Sequence, residues 1–368
     1  MKPSKLKIQN AFYCLLGLVL CFPIFIEQAF GLDEIFDTYS SPQCMAQGNA
    51  CTASASGYLA NFYNPAGLTR FNKKTWEAHL VVVEGNLGAG AASLSANELT
   101  FGTYRILPVM QNYAGIYTYF NFATVPSITF RNFSFSLLGN YQFAALSNGV
   151  QLDIDTRRDI APTVGFARHF AGNLLKLGIA GKAILRNQMK GVYDHSLLNT
   201  MNENTFPSLF KEGLGFGIDS GLLLTLPHRF LPTFGLVWND MFGTEFSATQ
   251  YLNKSASGNP DSIPQSFHFG FSINPVFSRS FKSTISVDYR HIELASLPWR
   301  KHLHVGLELE SQKSLLFWMG LNQLYLTAGL GLRVKGGNLE MGTYAKEIFS
   351  GLQTEYDRRF FFRYTISF

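Results

Sequence analysis

The stretch Arg359-Phe360-Phe361-Phe362-Arg363-Tyr364-Thr365-Ile366-Ser367-Phe368 closes the sequence and decides the fold. Its even positions are apolar or aromatic, and its odd positions are mostly polar. Alternate side chains of a β-strand point to opposite faces, so one face suits lipid and the other a wet interior. The pattern is typical of the last strand of an outer-membrane barrel, although a soluble sandwich can also end on such a strand. In a barrel, we expect Tyr364, Ile366 and Phe368 to be the assembly signal through which the barrel-assembly machinery binds this strand.

The other end of the sequence has the features of a secretory signal peptide. Three lysines lie within the first seven residues, an apolar run covers 11–26, and Ala29 and Gly31 supply the small residues of a cleavage site. We therefore expect residues 1–31 to be removed on export to the outer membrane of a Gram-negative-type bacterium. The remaining chain has 27 basic and 24 acidic residues, and a net charge of +3 is too small to predict a nucleic-acid partner.

The composition favours a membrane barrel over a helical membrane protein. Charged residues make up 15% of the chain and aromatic residues another 15%. Beyond the signal peptide, no run approaches the roughly 18 apolar residues that a spanning helix requires. Lipid admits only helices and closed barrels, because backbone polar groups need partners there. The sequence therefore predicts an all-β fold, a transmembrane antiparallel β-barrel with outer-membrane lipid around it.

Period-two alternation predicts the individual strands. The alternation marks fifteen segments, at 75–84, 98–106, 112–120, 132–146, 158–170, 174–187, 212–226, 230–240, 265–274, 280–292, 301–310, 314–321, 324–334, 337–346 and 358–368. Bacterial single-chain barrels have even strand numbers, so one assignment must be wrong. Either 98–106 belongs to a loop, which gives fourteen strands, or 124–130 is a further strand, which gives sixteen. We favour about 14 strands.

The lengths of the connections predict the orientation of the barrel. With both termini in the periplasm, the long connections lie outside and the short ones inside, as is usual for such barrels. The long connections are 147–157, 188–211, 241–264 and 347–357, and the short ones are 171–173, 227–229, 275–279, 311–313 and 335–336. The orientation follows from the strand assignments and supports them.

Residues 32–73 do not alternate and are rich in small residues, glycine and proline. The segment is too apolar for a disordered tail, and barrels of this size have room for an internal plug. We therefore divide the chain into a signal peptide (1–31), an N-terminal hatch (32–73) and a barrel (74–368). Cys44 and Cys51 lie within the hatch; a regular helix would hold them too far apart for a disulfide, whereas a loop would allow one.

The hatch sequence resembles that of a known transporter family. Gly48-Asn49-Ala50 and Ala60-Asn61-Phe62-Tyr63-Asn64-Pro65-Ala66-Gly67-Leu68 look like the N-terminal hatch of the FadL/TodX superfamily of outer-membrane channels. The barrel stretches 217–223, 232–239 and 327–333 are typical of related families, including PorV-like proteins of secretion systems. The most specific part is the hatch motif Asn64, Pro65, Ala66 and Gly67, which would also suit an ordinary turn.

The resemblance implies passive uptake of hydrophobic small molecules, such as long-chain fatty acids or hydrocarbons. It also implies a hatch in the lumen and a kinked strand that opens a lateral route to the lipid; Pro126 would suit such a kink or a plain turn. The chain is shorter than the typical fatty acid channel. Its connection 188–211 carries the best candidates for ligand capture, unless they pack against one another: Tyr193, Leu197, Leu198, Phe206 and Phe210.

The sequence gives little sign of catalysis. His302 and His304 share a predicted lumen face with Glu308 and Glu310, which could hold a metal but also suits a polar barrel interior. No phosphate loop and no zinc-type spacing is present, so we expect neither an enzyme nor a cofactor. The alternative to a hydrophobic-ligand channel is a PorV-like barrel whose extracellular loops bind a protein. A continuous apolar cavity beside the hatch would favour the first, and a sealed lumen with exposed aromatic loops the second.

Overall fold

The structure, a computed structural model, describes residues 34–71, 76–94, 103–275, 281–311, 314–349 and 355–368. The predicted signal peptide, residues 1–31, lies outside the described residues. Within the described parts of the chain, no helix is long and apolar enough to cross a membrane.

The described strands form one antiparallel sheet that closes on itself, because the last strand pairs with the first along its length. The strands are β1 Trp76–Gly88, β2 Tyr117–Thr124, β3 Ser127–Phe130, β4 Phe133–Ser147, β5 Gln151–Phe170, β6 Leu175–Asp194, β7 Lys211–Thr225, β8 Thr233–Asn239, β9 Phe246–Ala248, β10 Ser266–Ile273, β11 Phe281–Tyr289, β12 Leu303–Ser311, β13 Leu315–Asn322, β14 Tyr325–Val334, β15 Gly337–Phe349 and β16 Glu355–Ser367. β2 and β3 are halves of one barrel strand, and β9 continues the wall beside β7. The prediction of a barrel of about 14 strands is confirmed.

The alternation of the last strand divides its side chains as the sequence predicts. Phe360, Phe362 and Tyr364 of β16 are exposed on the outer face, whereas Arg359 and Arg363 are buried on the inner face. The barrel wall therefore has an apolar outside and a polar inside, which is the arrangement that a membrane barrel requires.

The predicted strands differ from the observed ones mainly at the end with the long connections. Residues 103–110 of the weak region form a helix, so the segment 98–106 is not a strand where the structure describes it. The predicted strand 112–120 begins only at Tyr117, and 124–130 continues the same strand past Pro126. β5 begins well before its predicted start and β6 ends well after its predicted end, whereas β4 agrees with its prediction to one residue. Most of the connection 147–157 and residues 188–194 therefore belong to strands rather than loops.

The described parts of the hatch and the connections contain five short α-helices. They are α1 Pro42–Ala46, α2 Ala60–Tyr63, α3 Thr103–Met110, α4 His195–Thr200 and α5 Trp299–His302. α3 and α4 pack together above β4–β6 around a core that includes Ile106, Met110 and Leu198. The predicted strand start at 301 is wrong, because His302 ends α5 and β12 begins at Leu303.

Candidate functional site: the hatch and the interrupted wall

The hatch, residues 34–71, fills the lumen and runs from the end with the long connections to the end with the short turns. α1 is followed by a tight turn in which Gly48 and Asn49 have positive φ angles of 68° and 62°. The turn brings the Cα atoms of Cys44 and Cys51 to 5.9 Å, and the two residues form a disulfide. The sequence left open whether a regular helix would keep the two cysteines apart or a loop would let them bond. The structure has the turn and the bond.

Glycines on the inner face of the wall give the hatch room to lie against the strands. A Cβ atom at any of them would lie less than 3.0 Å from a hatch atom, closer than real Cβ atoms come. They occupy seven strands of the wall: Gly165, Gly178, Gly221, Gly235, Gly270, Gly306 and Gly320. At Gly178, Gly306 and Gly320 the hatch backbone thus packs directly on the backbone of the wall, and at Gly165 and Gly221 the side chains of Asn61 and Asn64 take the space of the missing Cβ atom.

The hatch motif lies where the hatch meets β6 and β7. Asn64 accepts a hydrogen bond on its Oδ1 from the Ala66 amide at 3.1 Å, which caps the 3-10 helix Pro65–Arg70. Its Nδ2 donates to the Thr52 carbonyl at 2.9 Å and to the Leu222 carbonyl of β7 at 3.4 Å. Because the motif is fully buried, this geometry fastens the lower hatch to the wall; its role in gating stays a prediction.

Residues 34–38, the first described residues of the hatch, form a segment that we call the strap. Ion pairs hold it at the other end of the lumen from the Asn64 motif. Glu34 binds Arg359 of β16 at 2.6 Å and Lys346 of β15 at 3.2 Å. Asp37 binds Arg290, just beyond β11, at 3.0 Å. Burial alone would raise the pKa of Glu34, but Arg359 and Lys346 outweigh it and lower that pKa to about 2. The pKa of Asp37 is likewise held well below its usual range by Arg290 against the effect of burial.

The barrel wall is interrupted between β1 and the strand that contains Pro126. Residues 84–87 of β1 pair with β2 and residues 76–79 pair with β3, but the register shifts by one residue between these two ladders. No described ladder pair joins residues 80–83 to this neighbour, and Pro126 has no N–H to offer them. On the other side of the same strand, the Pro126 carbonyl accepts from the Leu137 amide at 2.9 Å, so pairing with β4 continues. The wall is therefore open on one side only.

Two hatch residues lie behind this interruption. Tyr58 stacks at a tilt on His79 of β1, with ring centroids 4.8 Å apart, and its hydroxyl accepts a hydrogen bond from Arg363. Leu59 is buried in the same apolar cluster as Val125, which sits beside Pro126. The lumen side of the gap is thus closed by hatch side chains rather than by the wall.

A row of apolar side chains crosses the inner wall and ends at the gap. The strand registers place Val125 opposite Leu138, Leu138 opposite Ala161, and Ala161 opposite Ile184. Ile184 pairs with Gly215, which in turn pairs with Phe246 beyond the end of β8. We call these five apolar residues the apolar row: Val125, Leu138, Ala161, Ile184 and Phe246. All are buried, in one cluster with the hatch residues Tyr39, Leu59 and Tyr63.

The cavities beside the upper hatch are small. One of about 30 Å³ lies among the strap, Tyr119 and Arg359, and one of about 110 Å³ lies between Phe62, Lys182 and Arg290. Neither is a continuous apolar cavity of the size that a fatty acid needs. Neither of these two cavities therefore gives such a ligand a continuous path past the hatch in this conformation.

Most of the residues predicted for ligand capture pack in an apolar cluster formed by the connections and the adjoining ends of β2, β4, β5 and β6. Leu198, Phe206 and Phe210 are buried in the cluster formed with α3, Tyr193 packs on its edge, and Leu197 is exposed. Phe206 and Phe210 lie edge to face at 5.6 Å. The structure brings four of the five side chains into this cluster, so capture at this site would require the loop core to open.

The histidines and acidic residues considered for chemistry do not form a catalytic constellation. The inward-facing His304 and Glu308 are separate, with His304 on the Gly48 carbonyl and Glu308 on Trp318, while Glu310 binds Arg333. His302 bonds the Arg290 carbonyl. Among the described residues, no group of three could hold a metal ion. Each of these side chains instead bonds to another polar group of the barrel.

One serine–histidine pair escaped the sequence analysis. Ser147 and His195 are 2.9 Å apart, but both are buried under the loop cluster. His195 Nδ1 has no hydrogen-bond partner, so no third group orients the imidazole as in a catalytic triad.

Two features of the site were not predicted. The inner glycines share the inward phase of their strands with polar residues, a sequence signal that points to close backbone contact. The acidic strap residues Glu34 and Asp37 pair with strand residues far along the chain, and no local pattern reveals such contacts. Tyr364 and Ile366 lie near the end of β16 and Phe368 directly follows it, with its amide donating to the Ala78 carbonyl at 3.0 Å. The role of these three residues as an assembly signal stays a prediction.

Comparison with known proteins finds similarity in structure but none in sequence. No protein-family model matches the sequence, and no curated protein matches it either. A deltaS2S3 mutant of the monoaromatic hydrocarbon channel TodX has a TM-score of 0.55 at 12% identity, over 90% of this chain and 99% of that one. The TodX deltaS2 mutant has a TM-score of 0.53 at 11% identity, over 89% and 97% of the two chains.

A Pseudomonas aeruginosa FadL homologue has a TM-score of 0.51 at 9% identity, over 92% of this chain and 99% of that one. Structural matches at sequence identities this low indicate a shared fold, but they do not indicate a shared ligand. The closed barrel, the hatch in its lumen and these matches together show that the chain has the fold of the FadL/TodX-type outer-membrane channels.

Proposed function

We propose that the protein is an outer-membrane channel for the passive uptake of hydrophobic small molecules. The observation that carries the proposal is the apolar row, which leads across the inner wall to the gap beside Pro126. A hydrophobic molecule gains about 25 cal/mol for each Å² that it removes from water, so it would follow this row rather than the charged parts of the lumen. The gap then gives it a way into the lipid without a second exposure to water. The hydrocarbon channels and the FadL homologue of the same fold support this class of ligand.

Uptake along this route requires a movement of the hatch. Tyr39, Leu59 and Tyr63 now cover the apolar row, and Tyr58 closes the gap from inside. A ligand that displaces these side chains would itself cover the apolar row. The exchange would therefore expose little apolar surface to water. The described conformation is accordingly the closed state of the channel.

The test is the uptake of an uncharged hydrophobic dye, N-phenyl-1-naphthylamine, by cells that carry the protein in their outer membrane. Pro126→Ala supplies the missing N–H, and we expect it to let the ladder close and to slow uptake. Pro162→Ala is the matched control, because Pro162 also interrupts a ladder in the wall, but the β5–β6 register continues unchanged past it. Equal uptake by P126A and the unmodified protein, at equal amounts in the membrane, would refute the lateral route.

A second candidate function is a PorV-like barrel that binds a protein through its loops. It is favoured by exposed aromatic side chains on the connections: Phe242 is 83% and Tyr251 72% exposed on the connection 241–264, and Trp299 of α5, between β11 and β12, is 63% exposed. Patches of exposed aromatics often mark protein interfaces. Replacement of all three by serine should leave dye uptake unchanged if the protein is a channel of the proposed kind, and should abolish only the binding of a partner.

A further inference from the structure

The lipid-facing side of the barrel carries an apolar groove of about 500 Å³ on strands β12 to β15. Large apolar side chains that are exposed on the outer face border it: Phe317, Met319, Leu330 and Met341. Ala328 of β14 and its paired residue Thr343 of β15 stand between them and line the groove. The depression exists because these two side chains are shorter than the four around them.

The groove is wide and carries no charge. Its lining comes from four neighbouring strands, so three interstrand spacings make it about 14 Å wide. That width suits several acyl chains side by side rather than a single chain. None of the described lining residues is charged, so the groove favours hydrocarbon along its whole length.

An arginine on the lipid-facing side lies at one end of this groove. Arg358 of β16 shares its outward phase with Phe360, which is exposed two residues further along. Arg358 pairs with Ala345 of β15, and its Nη1 donates to the Leu326 carbonyl of β14 at 2.6 Å. Leu326 precedes Ala328 by two residues, so this contact holds the guanidinium about 7 Å from the groove along the strand.

Arg358 forms no ion pair with a described carboxylate. Its described side-chain contacts are the Leu326 carbonyl and the Tyr356 ring, whose centroid lies 6.0 Å from the guanidinium carbon. Tyr356 in turn packs on Tyr325 with ring centroids 4.6 Å apart. Aromatic residues on the outside of a membrane barrel mark the level of the lipid head groups, and an arginine is tolerated there because the cost of its charge is small. An anionic head group would supply the missing counter-charge.

The position of Arg358 along the barrel selects the leaflet. Its chain neighbour Arg359 binds Glu34 of the strap, so Arg358 lies at the same end as the strap and the long connections. Long connections face the cell exterior in barrels of this kind. In outer membranes the lipid of that leaflet is lipopolysaccharide, whose lipid A anchor joins phosphate groups to several acyl chains. We propose that the groove binds lipid A, with a phosphate on Arg358 and acyl chains against β12 to β15.

The test is native mass spectrometry of the full barrel in mild detergent, with purified lipid A as the added probe. A guanidinium–phosphate contact is a charge-assisted hydrogen bond, so we expect Arg358→Gln to weaken lipid A binding about tenfold. Arg158→Gln is the matched control and should bind normally. Arg158 is also exposed and lies over a tyrosine ring, that of Tyr141 at 5.1 Å, but it does not line the groove.

A second variant fills the groove and leaves the arginine in place. Ala328→Phe puts an aromatic ring where the acyl chains would lie, so it should also weaken binding of lipid A. Leu332→Phe is its control, because Leu332 is exposed on the same strand but lies outside the groove. Lipid A stripped of its phosphates separates the two contacts: its binding should be equal in R358Q and the unmodified barrel, and weaker in A328F.

The proposal would be overturned if lipid A bound R358Q and A328F as tightly as the unmodified barrel. Equal weakening in R158Q and L332F would also overturn it, since binding would then reflect general contact of lipid with the wall. If phosphatidylglycerol bound as tightly as lipid A and displaced it, the assignment to lipid A would be wrong, because the groove would accept any phosphate-bearing lipid. The groove shares no residue with the apolar row or with Pro126, so none of these results depends on channel activity.

Discussion

The contact between the hatch and β6 can be broken by a single methyl group on the wall. A Cβ atom on Gly178 would lie 2.3 Å from the Ala66 amide nitrogen and 2.3 Å from the Pro65 carbonyl carbon. Both are backbone atoms, so no flexible side chain can move aside. Gly178→Val therefore forces either the hatch or the strand to move by about 1 Å to restore a normal van der Waals separation.

The hatch is the part that will move. β6 is hydrogen-bonded to β5 on one side and to β7 on the other, so the wall is braced across many ladder pairs. The segment 64–67 is held by the cap and amide contacts of Asn64 and by packing. Overpacking of a buried contact costs about 1–3 kcal/mol, and this energy corresponds to about a 5- to 150-fold rise in the population of the undocked segment.

Hydrogen exchange measures this population directly. The amides of Ala66 and Gly67 bond to Asn64 at 3.1 Å and 2.8 Å, and their exchange in G178V should accelerate by the same factor. The control is Gly181→Val on the same strand, because a Cβ atom at Gly181 meets nothing within 4 Å. Equal exchange of the two amides in G178V and G181V would refute the view that the wall glycines seat the hatch.

Three further outcomes are expected. In Glu34→Gln the buried Arg359 and Lys346 lose their shared anion, which should release the strap at a cost of about 3 kcal/mol. Because the pKa of Glu34 is depressed from 4.5 to about 2, its stabilising contribution is complete above pH 4.5 and should fade as the pH falls towards 2; channel conductance against pH, with E34Q insensitive in that window, checks this. Replacement of Asn64 and Pro65 by Ala should raise dye uptake, and unchanged uptake by a correctly inserted barrel would exclude a gating role for the motif. Serine at both Cys44 and Cys51 removes a short covalent loop worth about 2–3 kcal/mol, so exchange of the amides of α1 should accelerate while the barrel strands stay protected.

The strands could be predicted from the sequence because each carries its own alternation. Each strand meets lipid on one side and a wet lumen on the other, and this produces the alternation of apolar and polar residues. The side chains of β12 and β16 can therefore be assigned to the correct face without knowledge of the neighbouring strands. The alternation predicted a strand wrongly in the region before Tyr117. There α3 packs in the loop cluster, and neither lipid nor lumen requires apolar and polar residues to alternate. It also began β5 too late and ended β6 too early, since these ends of the two strands extend into the loop region, where residues 152–157 and 186–189 are buried at consecutive positions.

The candidate site was accessible to sequence reasoning only in part. Pro126 could be read as a kink because the missing N–H is a local property of the residue. The apolar row could not, because its members come from different strands and meet only through the register of the sheet. The capture residues illustrate the same limit: apolar residues in a loop indicate that something is buried there, but they do not reveal that residues of α3 lie against them, and their role in ligand capture stays a prediction.

The way the hatch is fastened indicates which part of it can move. Its upper end is held by ion pairs to β15, β16 and the β11 end, and its lower end by Asn64 on β6 and β7. The middle of the hatch, residues 54–63, forms two side-chain hydrogen bonds to the described wall: Tyr58 with Arg363, and Asn61 Nδ2 with the Ser136 hydroxyl at 2.9 Å. The residues just before it are held by two more, from the Thr52 amide to Asp288 at 2.7 Å and from the Ser272 hydroxyl to the Ala53 carbonyl at 3.1 Å. Because removing one ordinary hydrogen bond costs about 1 kcal/mol, a shift of the middle alone is far cheaper than expulsion of the whole hatch. To reach the gap, a ligand therefore needs to displace residues 54–63 and the side chain of Tyr39, while the ion pairs of Glu34 and Asp37 and the contacts of Asn64 stay in place.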